Sequence, residues 1–388
     1  MDEKYSPSGQ FKMLIDEEWN LRLLENPLFA TMVGDHRYDD RLPGTQVSDF
    51  LRREAEIRQF LVRLTNIERA GLSRVEQVNY DFFERELRLQ LGEYAFKSYL
   101  IPLTKSVGLT ASLADVIDVT PFKTGADFEA YIKRLQAFPV MVDELIGLMQ
   151  EGAASGYLPA RTAMAGVVDG FRMHASAMDS EKALENNHFF GPFRSMPASI
   201  SSQDQARLTS AGRSVVAGPL ALAYRRLADF LEQEYLPQTS PERATPQMPE
   251  SKRYYEFCVR RFTSLDITPE YVHNTGLAEV SRIRAEMEDV MRSVGFFGSL
   301  REFSDSLRTD PRFFVDTPEQ LMKEVAWLMK RIEGQLPVLF KTLPRTPFGL
   351  KEIPAYLAPS STSAYYYLPA GDGTTAGNYF VNTYDLKS

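Results

Sequence analysis

The sequence predicts a mainly α-helical protein, a multi-helix array of long antiparallel helices that ends in a small C-terminal β-hairpin or short sheet. Three observations carry this reading. Apolar residues recur at three- and four-residue steps through most of the chain, as one face of a helix requires. Those stripes are repeatedly preceded by capping signals, either Ser-x-x-Glu or Thr-Pro-Glu. After the prolines at 344, 347 and 354 the helical period disappears and Tyr, Phe, Val and Thr take over, residues that fit a pleated, half-buried surface.

In order, Phe11 to Glu25 carries Phe11, Leu14, Ile15 and Trp19, and stops where Asn26-Pro27 disfavours helical backbone. The following Ala30 to Gly44 crowds Asp35, His36, Arg37, Asp39, Asp40 and Arg41, and is expected to be a solvated or salt-bridged connector. Ser48 is placed to cap a helix reaching about Ala70, with Gly71 as its stop. Ser73-Arg74-Val75-Glu76 is a capping box for a helix to about Phe96. Ser98 to Thr110 reads as irregular, and a short element runs from Ser112 to Val119. The stretch Thr124 to Gln150 is helical, with Pro139 expected to kink or divide it. Pro159 to Phe190 is helical but punctuated by Gly166 and Gly170. Ser202-Gln203-Asp204-Gln205 reads as a second capping box, for a helix to Tyr235 interrupted at Gly218-Pro219.

Four prolines between Pro237 and Pro249 predict an exposed, semi-extended connection. The domain reading is therefore an N-terminal helical region 1–236, a Pro-rich linker 237–250 and a second helical region 251–388. In that second region Thr268-Pro269 opens a helix closed by Gly295, and Ser299-Leu300-Arg301-Glu302 is a third capping box. Thr317-Pro318-Glu319 opens a helix to about Phe340. Leu350 to Leu357 reads as a strand feeding a hairpin, whose strands are Ala364 to Leu368 and Asn378 to Tyr384 around a turn at Gly371-Asp372-Gly373. A hairpin alone is marginal in water, so something should lie against it.

Composition narrows the function classes. With 44% hydrophobic and 25% charged residues the chain is ordinary globular material, and its net charge of -8 repels phosphate backbones and anionic membrane surfaces. Neither nucleic acid nor membrane is an expected partner. One cysteine, Cys258, excludes an intrachain disulfide and reads as a small buried hydrophobe. The first residues lack a basic and apolar leader pattern, and no run approaches the roughly 18 apolar residues of a membrane span, so a cytoplasmic location is expected.

Little chemistry is written locally. Gly371-Asp372-Gly373-Thr374-Thr375-Ala376 matches a loose dinucleotide fingerprint, but strand-like residues follow it where a helix N-terminus would be needed, so it reads as a turn. His36, His174, His188 and His273 are all far apart in sequence, so no two can share a helical turn on a zinc ion. Glu84/Glu86 and Glu286/Glu288 sit at two-residue spacing and read as solvated helix faces.

The segment Ala30-Thr31-Met32-Val33-Gly34-Asp35-His36-Arg37-Tyr38-Asp39-Asp40-Arg41-Leu42, the block Leu277 to Met287, the segment Leu307 to Phe314 and above all Tyr365 to Leu386 resemble domain-of-unknown-function family 885. Its members are similar to helical zinc metallopeptidases of the gluzincin type. The resemblance implies a peptide substrate and a His-Glu-bearing zinc helix about a dozen residues beyond the final strand. This chain ends before that helix, so the resemblance implies a catalytically incomplete N-terminal part. No catalytic or metal-binding residue and no cofactor is assigned to it, zinc being expected only with the downstream helix. It also implies that the final strand is an edge accepting an extended peptide, which makes Tyr379, Phe380, Val381, Asn382 and Thr383 candidate substrate-binding residues. A second reading, from a different class, is a non-enzymatic helical scaffold that binds a peptide or a complementary C-terminal segment through the hairpin.

Overall fold

The computed structural model describes residues 6–105, 108, 113–241, 247–354, 358, 361–369, 373 and 376–387. The chain divides into two compact units, residues 1–266 and 267–388.

The first unit is helical. Its main helices are α1 (Pro7–Glu25), α2 (Pro27–Met32), α3 (Val47–Thr65), α4 (Arg74–Ala95), α5 (Gly125–Ala154), α6 (Val167–Ala175), α7 (Ser202–Val215), α8 (Ala221–Phe230) and α9 (Ser251–Thr263). One core gathers Phe128, Leu135, Phe138 and Val142 of α5 against Tyr224 and Leu227 of α8 and against Phe189. A second joins Phe11 and Leu14 of α1 to Phe60 and Leu64 of α3 and to Tyr80 and Leu87 of α4. The antiparallel pairing expected of α3 and α4 follows from a short connection between two amphipathic stretches.

Capping chemistry decides most helix starts. Ser73 Oγ accepts from the Glu76 amide while Glu76 Oε2 accepts from the Ser73 amide, closing the expected box. Two expected caps fall elsewhere. The helix assigned to Ser48 starts after Gln46, whose amide donates to Asp49 Oδ2. The box assigned to Ser202 is built one residue earlier, by Ser201 Oγ accepting from the Asp204 amide. In both places a nearby polar residue, Gln46 two positions before Ser48 and Ser201 one before Ser202, takes the cap instead.

Pro139 does not divide α5. Leu135, Phe138, Met141 and Val142 on either side of it are all buried, and their packing carries the helix across the lost hydrogen bond. The expected break at Gly218-Pro219 is present, with Gly218 at φ -106 and ψ -107 inside a wide turn of Val216–Leu220. The Pro-rich stretch expected as an exposed linker falls inside the first unit. Arg161 donates to Thr239 Oγ1 and to the carbonyls of Leu236 and Thr239, and Leu158 and Gln247 form a two-way backbone bridge. Thr239 and Gln247 are thus tied down, Pro237, Gln238, Pro241, Pro249 and Glu250 are exposed as expected, and 242–246 lie outside the described residues.

The second unit holds α10 (Pro269–Ser293), α11 (Leu300–Thr309), α12 (Pro318–Glu333) and a three-stranded sheet of β1 (Phe348–Glu352), β2 (Ala364–Tyr367) and β3 (Gly377–Val381). The caps at Thr268, Ser299 and Thr317 all form as expected. α12 stops at Glu333 rather than near Phe340, and a separate turn follows at Leu336–Leu339. No described helix in either unit is long and apolar enough to cross a membrane.

Candidate functional site

The sheet order is β1-β3-β2, which makes the last strand the central one. β3 pairs in parallel with β1, from Phe348↔Gly377 to Glu352↔Val381, and antiparallel with β2, from Ala364↔Val381 to Tyr367↔Asn378. This corrects the expectation that the final strand is an edge. The strand near Leu350 is not an extension of the hairpin but the third strand of the sheet, and it occupies the backbone groups of β3 that a substrate peptide would have used.

Alternation along the strands separates two faces. On one, Phe380 is buried with its ring stacked on Tyr365 at 5.0 Å and edge-on to Tyr367 at 5.4 Å, and Lys351 Nζ lies 5.9 Å from its ring centre. Ile353 and Ala358 complete this cluster. The other face, with Tyr366, Tyr379 and Val381, looks into a cavity of about 890 Å³ whose opposite wall is Leu321, Val325, Leu328 and Ile332 of α12. Those four residues follow the 3.6-residue period of one helix face.

The five candidate substrate-facing residues therefore part company. Tyr379, Val381 and Asn382 line the cavity. Phe380 faces the opposite side of the sheet, and Thr383 Oγ1 donates to Glu352 Oε2 at 3.0 Å. Asn382 spends its side chain on structure, donating to the Ala358 carbonyl at 2.8 Å and accepting from the Tyr384 amide at 3.0 Å. The α12 wall and Phe313 at the cavity's end were outside the sequence-derived set. The stripe on α12 was legible as a helix face, but nothing local linked it to residues some fifty positions on. Among the described residues Asp385 is the only charged group lining the cavity, so it suits an apolar chain and brings together no acid-base pair.

The polar loop before α3 has a different role from the solvated connector expected. Arg134 of α5, buried, donates through Nε to the Arg41 carbonyl at 3.0 Å and through Nη2 to the Tyr38 carbonyl at 3.0 Å, and lies 3.3 Å from Asp39 Oδ1. The other Asp39 oxygen meets His36 Nδ1 at 2.8 Å. Burial pulls the Arg134 guanidinium below its ordinary range, opposed by Asp39. The salt-bridged part of the expectation holds, with an inward partner instead of solvent.

The histidines do not converge on one point. His174 packs on Phe189 and Tyr224, and burial, with His188 nearby, lowers its pKa to about 4. His188 Nε2 lies 3.1 Å from the Ala114 carbonyl, and His273 is exposed on α10. Close by in sequence, burial and then Asp118 raise Asp115 to about 6. Among the described residues no three His, Cys, Asp or Glu side chains are grouped as a metal ion would need. Cys258 is half-buried on α9, and burial raises its thiol. Glu84 and Glu286 pair with Arg88 and Arg282 one helical turn away.

A family model described as "Bacterial protein of unknown function (DUF885)" matches residues 27–388. No curated protein matches the chain. Among solved structures, a candidate lipoprotein from Colwellia psychrerythraea superposes with a TM-score of 0.88 at 20% identity, over 98% of this chain and 68% of that one. A candidate lipoprotein of unknown function from Shewanella oneidensis gives a TM-score of 0.58 at 14% identity, over 99% of this chain and 66% of that one. At these identities the likeness is one of fold.

Proposed function

From the premise that the chain belongs to the DUF885 family of bacterial proteins of unknown function, we propose that it is the peptide-receiving part of a zinc-metallopeptidase-like protein. The observation that carries this is the apolar groove between the sheet and α12, with Tyr379 and Val381 on its floor. Such a groove holds an extended peptide by its side chains, because the backbone edges of β3 are already paired. The described residues do not assemble a zinc site, so no hydrolytic step is assigned to them. On this proposal the chain is catalytically incomplete by itself.

The test replaces Tyr379 with a photo-crosslinking phenylalanine analogue and exposes the full chain to a mixed library of unstructured peptides. Crosslinks to peptides rich in Leu, Val and Phe support the reading, and crosslinking independent of peptide composition overturns it. Zinc content and hydrolysis are measured on the same sample. One tightly held zinc with turnover would sink the claim of incompleteness.

A second reading is that the groove and its surroundings receive polypeptide as a non-enzymatic scaffold. Leu277, Val280, Ile283 and Val290 of α10, and Trp327, Leu328 and Ile332 of α12, are all exposed, an apolar display beyond what an isolated body normally leaves in water. Binding of a defined partner that persists after deletion of residues 364–388 would count against the hairpin as its anchor. A cytoplasmic location belongs to the same proposal. Recovery of the protein from whole cells in the membrane fraction would instead favour the lipoprotein description carried by the two solved relatives.

A further inference from the structure

The first unit contains a separate cavity of about 480 Å³ between α1, α3 and α4. Its size is that of a small-molecule site. Phe50 and Tyr99 form one wall, their rings stacked 4.5 Å apart at 9°, and Tyr94 tilts against Tyr99 at 6.2 Å. Phe60, buried, lies across from them. Neither the Tyr94 nor the Tyr99 hydroxyl makes a hydrogen bond among the described residues.

The charges in the wall are unequal. Three glutamates, Glu18, Glu25 and Glu56, face two arginines, Arg22 and Arg53, a formal difference of one negative charge. Glu18 is bound to Arg22 at 2.7 Å, and Glu25 to Arg53 at 2.8 Å as well as to Arg52 at 2.6 Å. Glu56 has no ion pair or hydrogen bond among the described residues. Both arginines are thus committed to partners, and the one uncommitted charge in a cavity otherwise lined by aromatic, aliphatic and neutral polar residues is that of half-buried Glu56.

We infer that this cavity is a binding site for a small organic ammonium compound with an apolar or aromatic body, its cationic end on Glu56 and its body against Tyr94 and Tyr99, Phe50 being already stacked on Tyr99 with the Arg53 guanidinium 5.3 Å from its ring centre. Aromatic faces attract a cation through their quadrupole, and the carboxylate supplies the direct counter-charge. An anionic ligand of the same shape would meet Glu56 with no free arginine to offset it. The site is independent of the peptide groove, which lies in the other unit.

The experiment titrates the full chain with 2-phenylethylammonium, 2-phenylethanol and phenylacetate at pH 7, read by ligand-observed NMR and calorimetry. The expected result is saturable binding of the ammonium compound, with the alcohol and the carboxylate roughly tenfold weaker or worse. Glu56→Gln should abolish that preference, and Glu17→Gln, one residue from Glu18 but outside the cavity, should keep it. Glu56 holds no other side chain in place, so its variant should unfold at the wild-type temperature. Equal binding of the three compounds, binding of none of them at millimolar concentration, or a preference retained in Glu56→Gln each overturns the inference.

Discussion

Arg134 Nη2 donates to Thr31 Oγ1 at 2.9 Å in the interior of the first unit, and the same hydroxyl meets Asp39 Oδ1 at 2.5 Å. The guanidinium thereby locks α2 and the turn His36–Tyr38 onto α5. Arg134→Leu removes the fork but leaves the carbonyls of Tyr38 and Arg41 without their donor and Asp39 without its cation. Breaking a buried pair from one side costs about 3–5 kcal/mol. Arg134→Lys should recover little of it, since a single ammonium with three donors cannot reproduce the Nε and Nη2 contacts that the guanidinium makes to four acceptors. Urea unfolding followed by Trp19 fluorescence in a Trp327→Phe background checks this in the first unit. A lysine variant as stable as wild type would show that charge alone is what the site requires.

That network also marks the boundary of what the sequence discloses. Capping at Ser73, Thr268, Ser299 and Thr317 is settled within four residues, and all four helix starts were legible. Arg134 reads as one more charge in an amphipathic stretch because its acceptors lie 93 to 103 residues away. The same holds for the candidate site. Strand character near the C-terminus was plain from Tyr, Phe and Val, but the centrality of β3 depends on pairing with β1, 29 residues earlier, and strand order has no local signature. Alternation alone would have put Tyr379 and Phe380 on opposite faces. Which face meets the groove is decided by α12.

Asp115 and His174 give opposite pH dependences. Asp115 rises in the fold to about 6 from an ordinary 3.8, so the folded state holds its proton longer than the unfolded chain, and its contribution weakens stability as pH rises across that window. His174 falls to about 4 from 6.5, so the unfolded chain takes up its proton first, and its contribution weakens stability as pH falls across that window. Asp115→Asn removes only the first. Its stability relative to wild type should therefore increase steadily between pH 4 and pH 6 and level off above, read as the difference in urea midpoint. A difference independent of pH would show that Asp115 titrates alike in both states.

The two faces of β3 make a second contrast. Phe380→Ala empties a buried position touched by two tyrosine rings and should cost the second unit about 3–5 kcal/mol. Tyr379→Ala enlarges a groove that is already open, and its cost should stay below half of that. Trp327 fluorescence in a Trp19→Phe background follows the second unit alone. The reverse order would mean that the groove face, not the aromatic cluster, holds the sheet.

Two glycines of α5 separate packing from helix propensity. A Cβ on Gly152 would lie 2.5 Å from the Leu100 carbonyl oxygen and 3.3 Å from Leu100 Cβ. Leu100 is itself buried with Leu148, Tyr157 and Met248, so its backbone has nowhere to retreat. Gly147, on an exposed part of the same helix, would meet nothing within 4 Å. Alanine is favoured over glycine in a helix by about 1 kcal/mol, and that gain should appear in full at Gly147→Ala. At Gly152→Ala it should be overrun by an overpacking cost of about 1–3 kcal/mol, leaving a net loss. Thermal unfolding of the two variants in parallel decides the matter. Equal stabilisation at both positions would show that the approach of α5 to Leu100 is loose enough to admit a methyl group, and that the contact does not determine how this helix is seated.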